Sequence, residues 1–188
     1  MGKIDFLKTF IKDRDVASVT PTSLHCVKKV CTNIDFSKDI TLVEYGPGDG
    51  VFSKYLLSKM TSGSRLILIE ANEDFVAHLK ETIKDSRVEI HNVLAGNVES
   101  AIDPELVGKV DYVLSGIPFS FLKMDRKIIV LQATKKILKP NGLFLAYQTS
   151  GHLKKPVMEV FGNYDTDFVP LNIPPYFIYK VYNKNGAA

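Results

Sequence analysis

The chain of 188 residues contains no tryptophan, only two cysteines and four histidines. Cys26 and Cys31 are five positions apart inside a predicted helix, and this spacing fits neither a CxxC metal site nor a disulfide. The histidines are scattered and lack the spacing of metal ligands. We therefore predict two reduced structural thiols and no metal site.

Long apolar runs are also absent. The longest, at 66–69 and 143–147, are far shorter than the roughly 20 residues that cross a bilayer. Acidic residues interrupt the first fifteen positions, so an apolar export signal is not expected. These absences predict a cytoplasmic protein. The length and the 45% hydrophobic content predict one domain with one substantial core.

Acidic residues are scarce in one part of the chain. The net charge is only +3, but eight basic residues lie between Lys123 and Lys155, where Asp125 is the one acid. A concentrated basic stretch predicts an anionic partner, either a membrane surface or a nucleic acid. The commoner alternative for such lysines is a solvated helix face.

Two helices are predicted before residue 38. Ile4, Leu7, Phe10 and Ile11 have helical spacing with lysines between them, which predicts an amphipathic basic helix over 3–15. A second helix follows the start signal at 20–23 and runs to about residue 32. We expect this N-terminal segment, 1–38, to pack on a core at 39–184 as one domain.

From residue 40 onward, strands alternate with helices. The predicted strands are 40–44, 65–70, 87–92, 110–115, 143–148, 167–171 and 176–183. The predicted helices are 52–60, 73–84, 125–138 and 155–161, with a turn at 139–142 after the third. The alternation predicts an α/β fold with a doubly wound, mostly parallel sheet. The last two strands lack a helix between them, so one should pair antiparallel.

A glycine loop, Glu44-Tyr45-Gly46-Pro47-Gly48-Asp49-Gly50, follows the first predicted strand. In an open α/β sheet this position is the usual ligand cradle, and glycine allows positive φ and close approach of a ligand. A dinucleotide fingerprint would need glycine or alanine where Val51 stands. Glu70, at the end of the second strand, is placed to accept hydrogen bonds from ribose hydroxyls. The alternative is a tight turn beside an exposed carboxylate.

The E-x-G-x-G-x-G spacing resembles the first motif of class I methyltransferases, whose fold is a Rossmann-like seven-stranded sheet with an antiparallel last strand. The resemblance implies S-adenosyl-L-methionine as cofactor and S-adenosylhomocysteine as product. Gly96, Asn97 and Val98 fall where such enzymes contact adenine. The implied cofactor-binding residues are Glu44, Gly46, Gly48, Gly50, Glu70, Ala71, Asn97, Val98 and Ser115.

The fourth strand should present the methyl acceptor, and it ends in Ser115-Gly116-Ile117-Pro118. Methyltransferases that act on adenine or glutamine nitrogens have an asparagine where Gly116 stands, which counts against a nucleobase acceptor. A similar segment, 172–176, precedes the last strand and is predicted to shape the final hairpin. Tyr45, Ser115 and Tyr147 are the candidates to orient an acceptor amine, with core packing as the alternative for Tyr147.

Four stretches, 6–10, 18–23, 44–52 and 115–118, are similar to bacterial phospholipid N-methyltransferases. That resemblance implies methylation of a phosphatidylethanolamine-type head group by a cytoplasmic, peripherally membrane-associated enzyme. The N-terminal amphipathic helix and the basic 123–155 stretch would then contact the anionic membrane. Two alternatives remain: an enzyme like the rRNA adenine N6-dimethyltransferases, and a non-catalytic cofactor-binding module.

Overall fold

The computed structural model describes residues 24–170 and 175–184. The predicted helix at 3–15, the start of the second helix and the stretch 18–23 therefore lie outside the described residues. The same holds for Asn172, Ile173 and Pro174 of the segment before the last strand. The second predicted helix is present from its described start, as α1.

One mixed sheet of seven strands organises the described residues. The strands are β1 Thr41–Tyr45, β2 Arg65–Ile69, β3 Val88–His91, β4 Val110–Ser115, β5 Leu138–Gln148, β6 Asp165–Val169 and β7 Tyr176–Tyr182. Their order is β3-β2-β1-β4-β5-β7-β6, with parallel pairing from β3 to β5. Strand β7 runs antiparallel to both β5 and β6. The predicted fold class is confirmed.

The helices cover both faces of the sheet. They are α1 Leu24–Cys31, α2 Val51–Leu57, α3 Glu73–Thr82, α4 Val98–Ala101, α5 Met124–Ile137 and α6 Lys154–Phe161. Short 3-10 turns at Ala95–Asn97, Pro104–Leu106, Phe119–Phe121 and Gly151–Leu153 were not predicted. Each is a single turn, too short to show a hydrophobic period. None of the helices in 24–170 or 175–184 is long and apolar enough to span a bilayer.

Alternation along the strands divides the core in two. Leu42 faces a cluster that includes Val27 of α1 and Leu56 of α2, whereas Val43 faces a cluster that includes Leu131 of α5. Successive strand residues point to opposite faces, so one apolar run supplies both clusters. The central strands therefore read as continuous apolar sequence and form the rigid base of the site.

Strand β5 differs from its prediction, because it starts at Leu138 and not at 143. Leu138 pairs with Val110 and Leu143 pairs with Tyr112, so the residues between them bulge out of the ladder. Asn141 has a φ of 60°, the left-handed conformation that a turn residue adopts. The predicted turn at 139–142 is thus a bulge inside a strand, held to the end of β7 by the main chain of Asn183.

Candidate active site

The glycine loop between β1 and α2 has left-handed backbone at three positions. The φ angles are 65° at Gly46, 61° at Gly48 and 80° at Gly50. A Cβ on Gly50 would lie 2.9 Å from Leu79 Cδ2, so this glycine is required both by its φ and by close packing against α3. The amide of Gly46 donates to the carbonyl of Ile69 at 2.9 Å, which ties the loop to the end of β2.

Glu70 links the end of β2 to the glycine loop. Its side chain is buried; Oε2 accepts from the amide of Gly48 at 3.2 Å, and Oε1 accepts from the amide of Asn72 at 3.0 Å. Asn72 in turn caps α3 by accepting from the amides of Asp74 and Phe75. The carboxylate therefore sits beside bare glycine backbone at the carboxyl end of the sheet.

Glu44, the acid that opens the motif, is buried behind the loop. Ser53 of α2 donates a hydrogen bond to its carboxylate at 2.6 Å. Burial raises the pKa of the Glu44 carboxyl to about 8; the hydrogen bond from Ser53 opposes this, and the nearby charges of Glu70 and Asp49 add to it. A second acid in this loop region can thus hold a proton near neutral pH.

The loop after β4 touches the glycine loop directly. The amide of Gly116 donates to the carbonyl of Tyr45 at 2.9 Å. A Cβ on Gly116 would lie 2.5 Å from the Tyr147 hydroxyl and 3.1 Å from the carbonyl oxygen of Gly46. No side chain fits at position 116 without moving the phenol of Tyr147, so the predicted acceptor loop, the cofactor loop and Tyr147 meet at one point.

Tyr147 belongs to a small aromatic cluster at this end of β5. Its ring stacks on Phe52 of α2, with centroids 4.7 Å apart, and meets Tyr176 of β7 edge to face at 5.7 Å. The side chain is half-buried. Phe52 was not predicted as a site residue, because its only sequence signal is that of an apolar residue at the start of a helix.

Tyr45, the third predicted residue for orienting an acceptor, lies apart from this cluster. Its side chain is fully buried in the core, where its hydroxyl accepts from Thr134 of α5 at 3.3 Å, and burial raises the pKa of the phenol. A phenol enclosed on the α5 side cannot contact an acceptor. Ser115 is likewise buried, and its hydroxyl accepts from the amide of Ile117 at 3.3 Å, so the hydroxyl shapes the loop after β4.

Val98, a predicted adenine contact, has a fully buried side chain, and its amide donates to the carbonyl of Ala95. Asn97 beside it is exposed and stays the predicted adenine contact, and Ala71 is half-buried just beyond Glu70. Gly96 serves packing, because a Cβ there would lie 2.9 Å from Ile129 Cγ2 on α5.

Gln148 is a positioning residue that sequence reasoning missed. Its Oε1 accepts from the amide of Phe119 at 3.0 Å, and its Nε2 donates to the carbonyls of Ile117 and Tyr147 at 2.8 Å each. The buried amide thus pins the loop after β4 to the end of β5. A lone glutamine ending an apolar strand is the one signal that could have revealed it, since a buried amide needs partners.

The site combines a glycine cradle, a buried carboxylate beside it and a second loop that touches the cradle. A cradle without Cβ atoms accepts close approach of a nucleoside, and the carboxylate suits sugar hydroxyls, so the residues present fit S-adenosylmethionine. Among the residues of 24–170 and 175–184, no cluster of three or more acids, histidines or cysteines could hold a metal ion.

A sequence model of the family described as "Methyltransferase domain" matches residues 43–144, more than half of the chain. The chain belongs to the methyltransferase domain family. The matched region runs from β1 into β5 and includes the glycine loop, Glu70 and Gly116. Membership confirms the predicted activity class, an S-adenosylmethionine-dependent methyltransferase, and with it the predicted cofactor.

Two curated relatives carry further information on this methyltransferase. An ornithine lipid N-methyltransferase of Singulisphaera acidiphila is 25% identical over 175 residues, which is 90% of each chain. A ribosomal RNA small subunit methyltransferase A of Mycoplasma capricolum is 28% identical over 102 residues, 52% of this chain and 36% of that protein. The match to the RNA enzyme therefore spans about a third of its length.

Solved structures agree with the fold. The 1,6-didemethyltoxoflavin-N1-methyltransferase of Burkholderia thailandensis, crystallised with 1,6-didemethyltoxoflavin and S-adenosylhomocysteine, superposes with a TM-score of 0.70 at 15% identity, covering 96% of this chain and 86% of that one. A SAM-dependent methyltransferase of Aquifex aeolicus gives 0.63 at 14% identity, covering 97% and 98%. At such identities the likeness establishes the architecture.

Proposed function

We propose that this methyltransferase transfers the methyl group to an amine nitrogen of a lipid head group of the phosphatidylethanolamine type. The observation that carries the proposal is the packing of the Tyr147 hydroxyl against Gly116, where a side chain is excluded. At this point the Tyr147 phenol from β5 and the backbone of the acceptor loop stand in place of an amide side chain. The similarity to an ornithine lipid N-methyltransferase along 90% of both chains supports the same acceptor class.

The arrangement suits an aliphatic amine. A sulfonium donor is already activated, so the protein has mainly to align the acceptor with the methyl group and exclude water. A primary amine has a pKa near that of lysine, about 10, and must lose its proton before it can attack. The aromatic cluster of Phe52, Tyr147 and Tyr176 provides a partly desolvated wall that disfavours the charged amine. The Tyr147 hydroxyl is the group we assign to orient the nitrogen.

A lipid acceptor requires access to a membrane surface. The basic 123–155 stretch and the N-terminal amphipathic helix are the segments that we propose to contact anionic head groups. Lys123, Arg126, Lys154 and Lys155 are exposed, whereas Lys127 is buried, and Lys136 and Lys139 pair with Glu99 and Asp111. The predicted N-terminal helix lies outside the described residues.

Methylation of RNA adenine is the second candidate. The similarity to ribosomal RNA small subunit methyltransferases A and the basic stretch favour it. Gly116 opposes it, because this position lacks the asparagine that holds a planar nitrogen in amino methyltransferases. A third possibility, a non-catalytic cofactor-binding module, predicts binding of S-adenosylmethionine without transfer of label to any acceptor.

Labelled S-adenosylmethionine tests the assignment. The protein is incubated separately with phosphatidylethanolamine vesicles, with ornithine lipid vesicles and with structured RNA, and extracted lipid and RNA are counted. We expect label in lipid. Label in RNA but not in lipid contradicts the proposal, and binding of the cofactor by calorimetry without any transfer supports the non-catalytic module.

A pair of tyrosine variants sharpens the same assay. Tyr147→Phe should reduce transfer to lipid by about 10- to 100-fold, because the orienting hydroxyl is lost, with little change in cofactor affinity. Tyr182→Phe is the matched control, since Tyr182 is 40% exposed at the far end of β7, next to the β5 bulge. Equal activity of Tyr147→Phe and wild type would remove Tyr147 from the acceptor site.

A further inference from the structure

Two large apolar side chains are exposed immediately beyond the acceptor loop. Phe121 is 49% exposed and Met124 is 39% exposed. Phe121 ends the 3-10 turn that follows β4, and Met124 begins α5, so both lie at the carboxyl edge of the sheet, where the active site is built. Exposed apolar side chains next to a ligand site often mark an interaction surface.

The protein holds this apolar tip in a fixed position. Phe119, two residues before Phe121, is fully buried, and its amide is bound by the side chain of Gln148. The amide of Phe121 donates to the carbonyl of Pro118 at 3.2 Å. The part of the Phe121 ring that stays exposed on this anchored turn contributes no apolar burial to folding. The exposed part of the ring is therefore available for contact with an apolar partner.

Several basic residues lie close to the tip. The turn at Gly151–Leu153, which follows β5, lies beside the turn at Phe119–Phe121. Next to these two turns stand four exposed basic side chains and one exposed acid, Asp125. The four are Lys123, Arg126, Lys154 and Lys155. None of the four forms a salt bridge with another described residue.

We propose that Phe121 and Met124, with these four basic residues, form a docking rim that seats the active site on an anionic bilayer. The inference rests on the proposed lipid acceptor and adds the surface and orientation by which the acceptor is reached. An apolar tip inside a basic ring matches the layering of a membrane interface, in which acyl chains lie beneath anionic head groups. Docking through this rim would direct the mouth of the active site toward the head groups.

The absence of tryptophan makes the rim directly testable. Phe121→Trp introduces the only indole of the protein at the proposed point of insertion. Phe168→Trp is the matched control, because Phe168 is 54% exposed on the edge strand β6, which also carries Asp165 and Asp167. Each variant is mixed with phosphatidylglycerol–phosphatidylcholine vesicles, without cofactor and without an amine lipid, and the indole emission is recorded.

The rim predicts that only the Phe121→Trp emission shifts to shorter wavelength and is quenched by brominated acyl chains. No shift for Phe121→Trp, or an equal shift for both variants, overturns the rim. A shift on addition of structured RNA but not of vesicles also overturns it, in favour of a nucleic-acid surface. Thermal unfolding of both variants verifies that each is folded when the emission is measured.

Charge variants test the basic ring independently. Replacing Lys154 and Lys155 by glutamine should weaken vesicle binding about fivefold for each lysine. Lys80 and Lys84 provide the control pair, since both are exposed near the end of α3, at the opposite edge of the sheet. Equal weakening by the two pairs overturns the ring, because it indicates nonspecific attraction to total charge.

The docking test and the function test fail separately. Docking is measured without acceptor or cofactor, and methyl transfer can be measured on lipid amine dispersed in detergent, which needs no bilayer. Docking without transfer in either format removes the lipid-amine function and leaves a membrane surface. Transfer in detergent, together with no emission shift of Phe121→Trp on vesicles, rejects the docking rim and leaves the proposed function standing.

Discussion

Acidic side chains have different partners at the two edges of the central sheet, the amino edge where the parallel strands begin and the carboxyl edge where they end. At the amino edge, acids pair with bases: Asp85 with Arg87 at 2.7 Å, Glu89 with Arg65 at 2.6 Å, and Asp111 with Lys139. At the carboxyl edge, the buried acids Glu44 and Glu70 take hydrogen bonds from a serine hydroxyl and from backbone amides. The pKa values follow the same division.

Hydrogen bonds from Arg87 lower the pKa of Asp85 to about 2, whereas burial raises that of Glu44 to about 8. The ion pairs at the amino edge contribute to the stability of the fold. The carboxyl edge keeps acids next to bare glycine backbone, where a ligand can approach. We therefore expect substitutions at the carboxyl edge to change ligand binding and substitutions at the amino edge to change only stability. Variants at matched positions on the two edges test this expectation.

The largest expected contrast is between two glycines with positive φ. Gly50→Val combines left-handed backbone with a Cβ placed 2.9 Å from Leu79 Cδ2, so we expect a loss of about 2–5 kcal/mol in the free energy of unfolding and of detectable cofactor binding. Gly108 near the amino edge has a φ of 77° with open space around it. Gly108→Val should therefore cost only about 1–2 kcal/mol and leave cofactor affinity unchanged.

Urea unfolding and calorimetry with S-adenosylmethionine measure both glycine variants. Equal costs in stability would mean that backbone strain alone decides, and that packing of the glycine loop on α3 contributes nothing. Retained cofactor affinity in a folded Gly50→Val protein would contradict the assignment of this loop as the cradle.

The next contrast compares two glutamates. Glu70→Gln removes the charge that accepts from Gly48 and Asn72 and is predicted to accept from ribose, so we expect cofactor affinity to fall about 10- to 100-fold. Glu89→Gln breaks a half-exposed pair with Arg65, which costs less than about 1 kcal/mol of stability and no affinity. Calorimetric titration of both variants with S-adenosylmethionine measures the two affinities. An equal loss of affinity in both variants would contradict the proposed difference between the two edges.

The smallest contrast is a pH dependence. Between the ordinary pKa of a glutamate, about 4.3, and the folded value near 8, the folded protein keeps a proton on Glu44 that the unfolded chain has lost. Stability should therefore fall as the pH rises from about 5 to 8. Glu44→Gln can still accept from Ser53 but does not titrate, so its stability should fall less steeply than that of wild type over this window.

Thermal unfolding at several pH values measures this difference. Asp85→Asn is the control from the amino edge, because a lowered carboxylate pKa contributes stability that is lost only as the pH falls below about 4. Its curve should run parallel to that of wild type between pH 5 and 8. A Glu44→Gln curve that falls as steeply as wild type would show that another group carries the dependence.

The fold was predictable because the strands are apolar on both faces and are separated by clear helices. Strands β1 to β4 lie within one or two residues of their predicted bounds. The start of β5 was missed because Pro140 and Asn141 produce a turn signal whether the turn ends a helix or bulges a strand. The antiparallel position of β7 followed from the missing helix before it.

The candidate site was predictable only where the chain determines it locally. The positive φ of the glycines and the position of Glu70 at a strand end are properties of the local sequence. The burial of Tyr45 on the α5 face follows from strand alternation, because adjacent strand residues such as Glu44 and Tyr45 point to opposite faces. Gln148 and the Tyr147–Phe52 stack depend on contacts between distant segments, which no local pattern encodes.

Gly46 and Gly116 bring the two loops together without a Cβ from either residue, and a Cβ on Gly116 would lie 3.1 Å from the carbonyl oxygen of Gly46. If the two loops hold donor and acceptor as proposed, only main chain separates the two substrates at this point. A side chain introduced at either glycine would disturb both substrate positions. The apparent Michaelis constants for S-adenosylmethionine and for the acceptor should therefore change together among natural variants. An enzyme built in this way can change its acceptor only by steps that its donor pocket also tolerates.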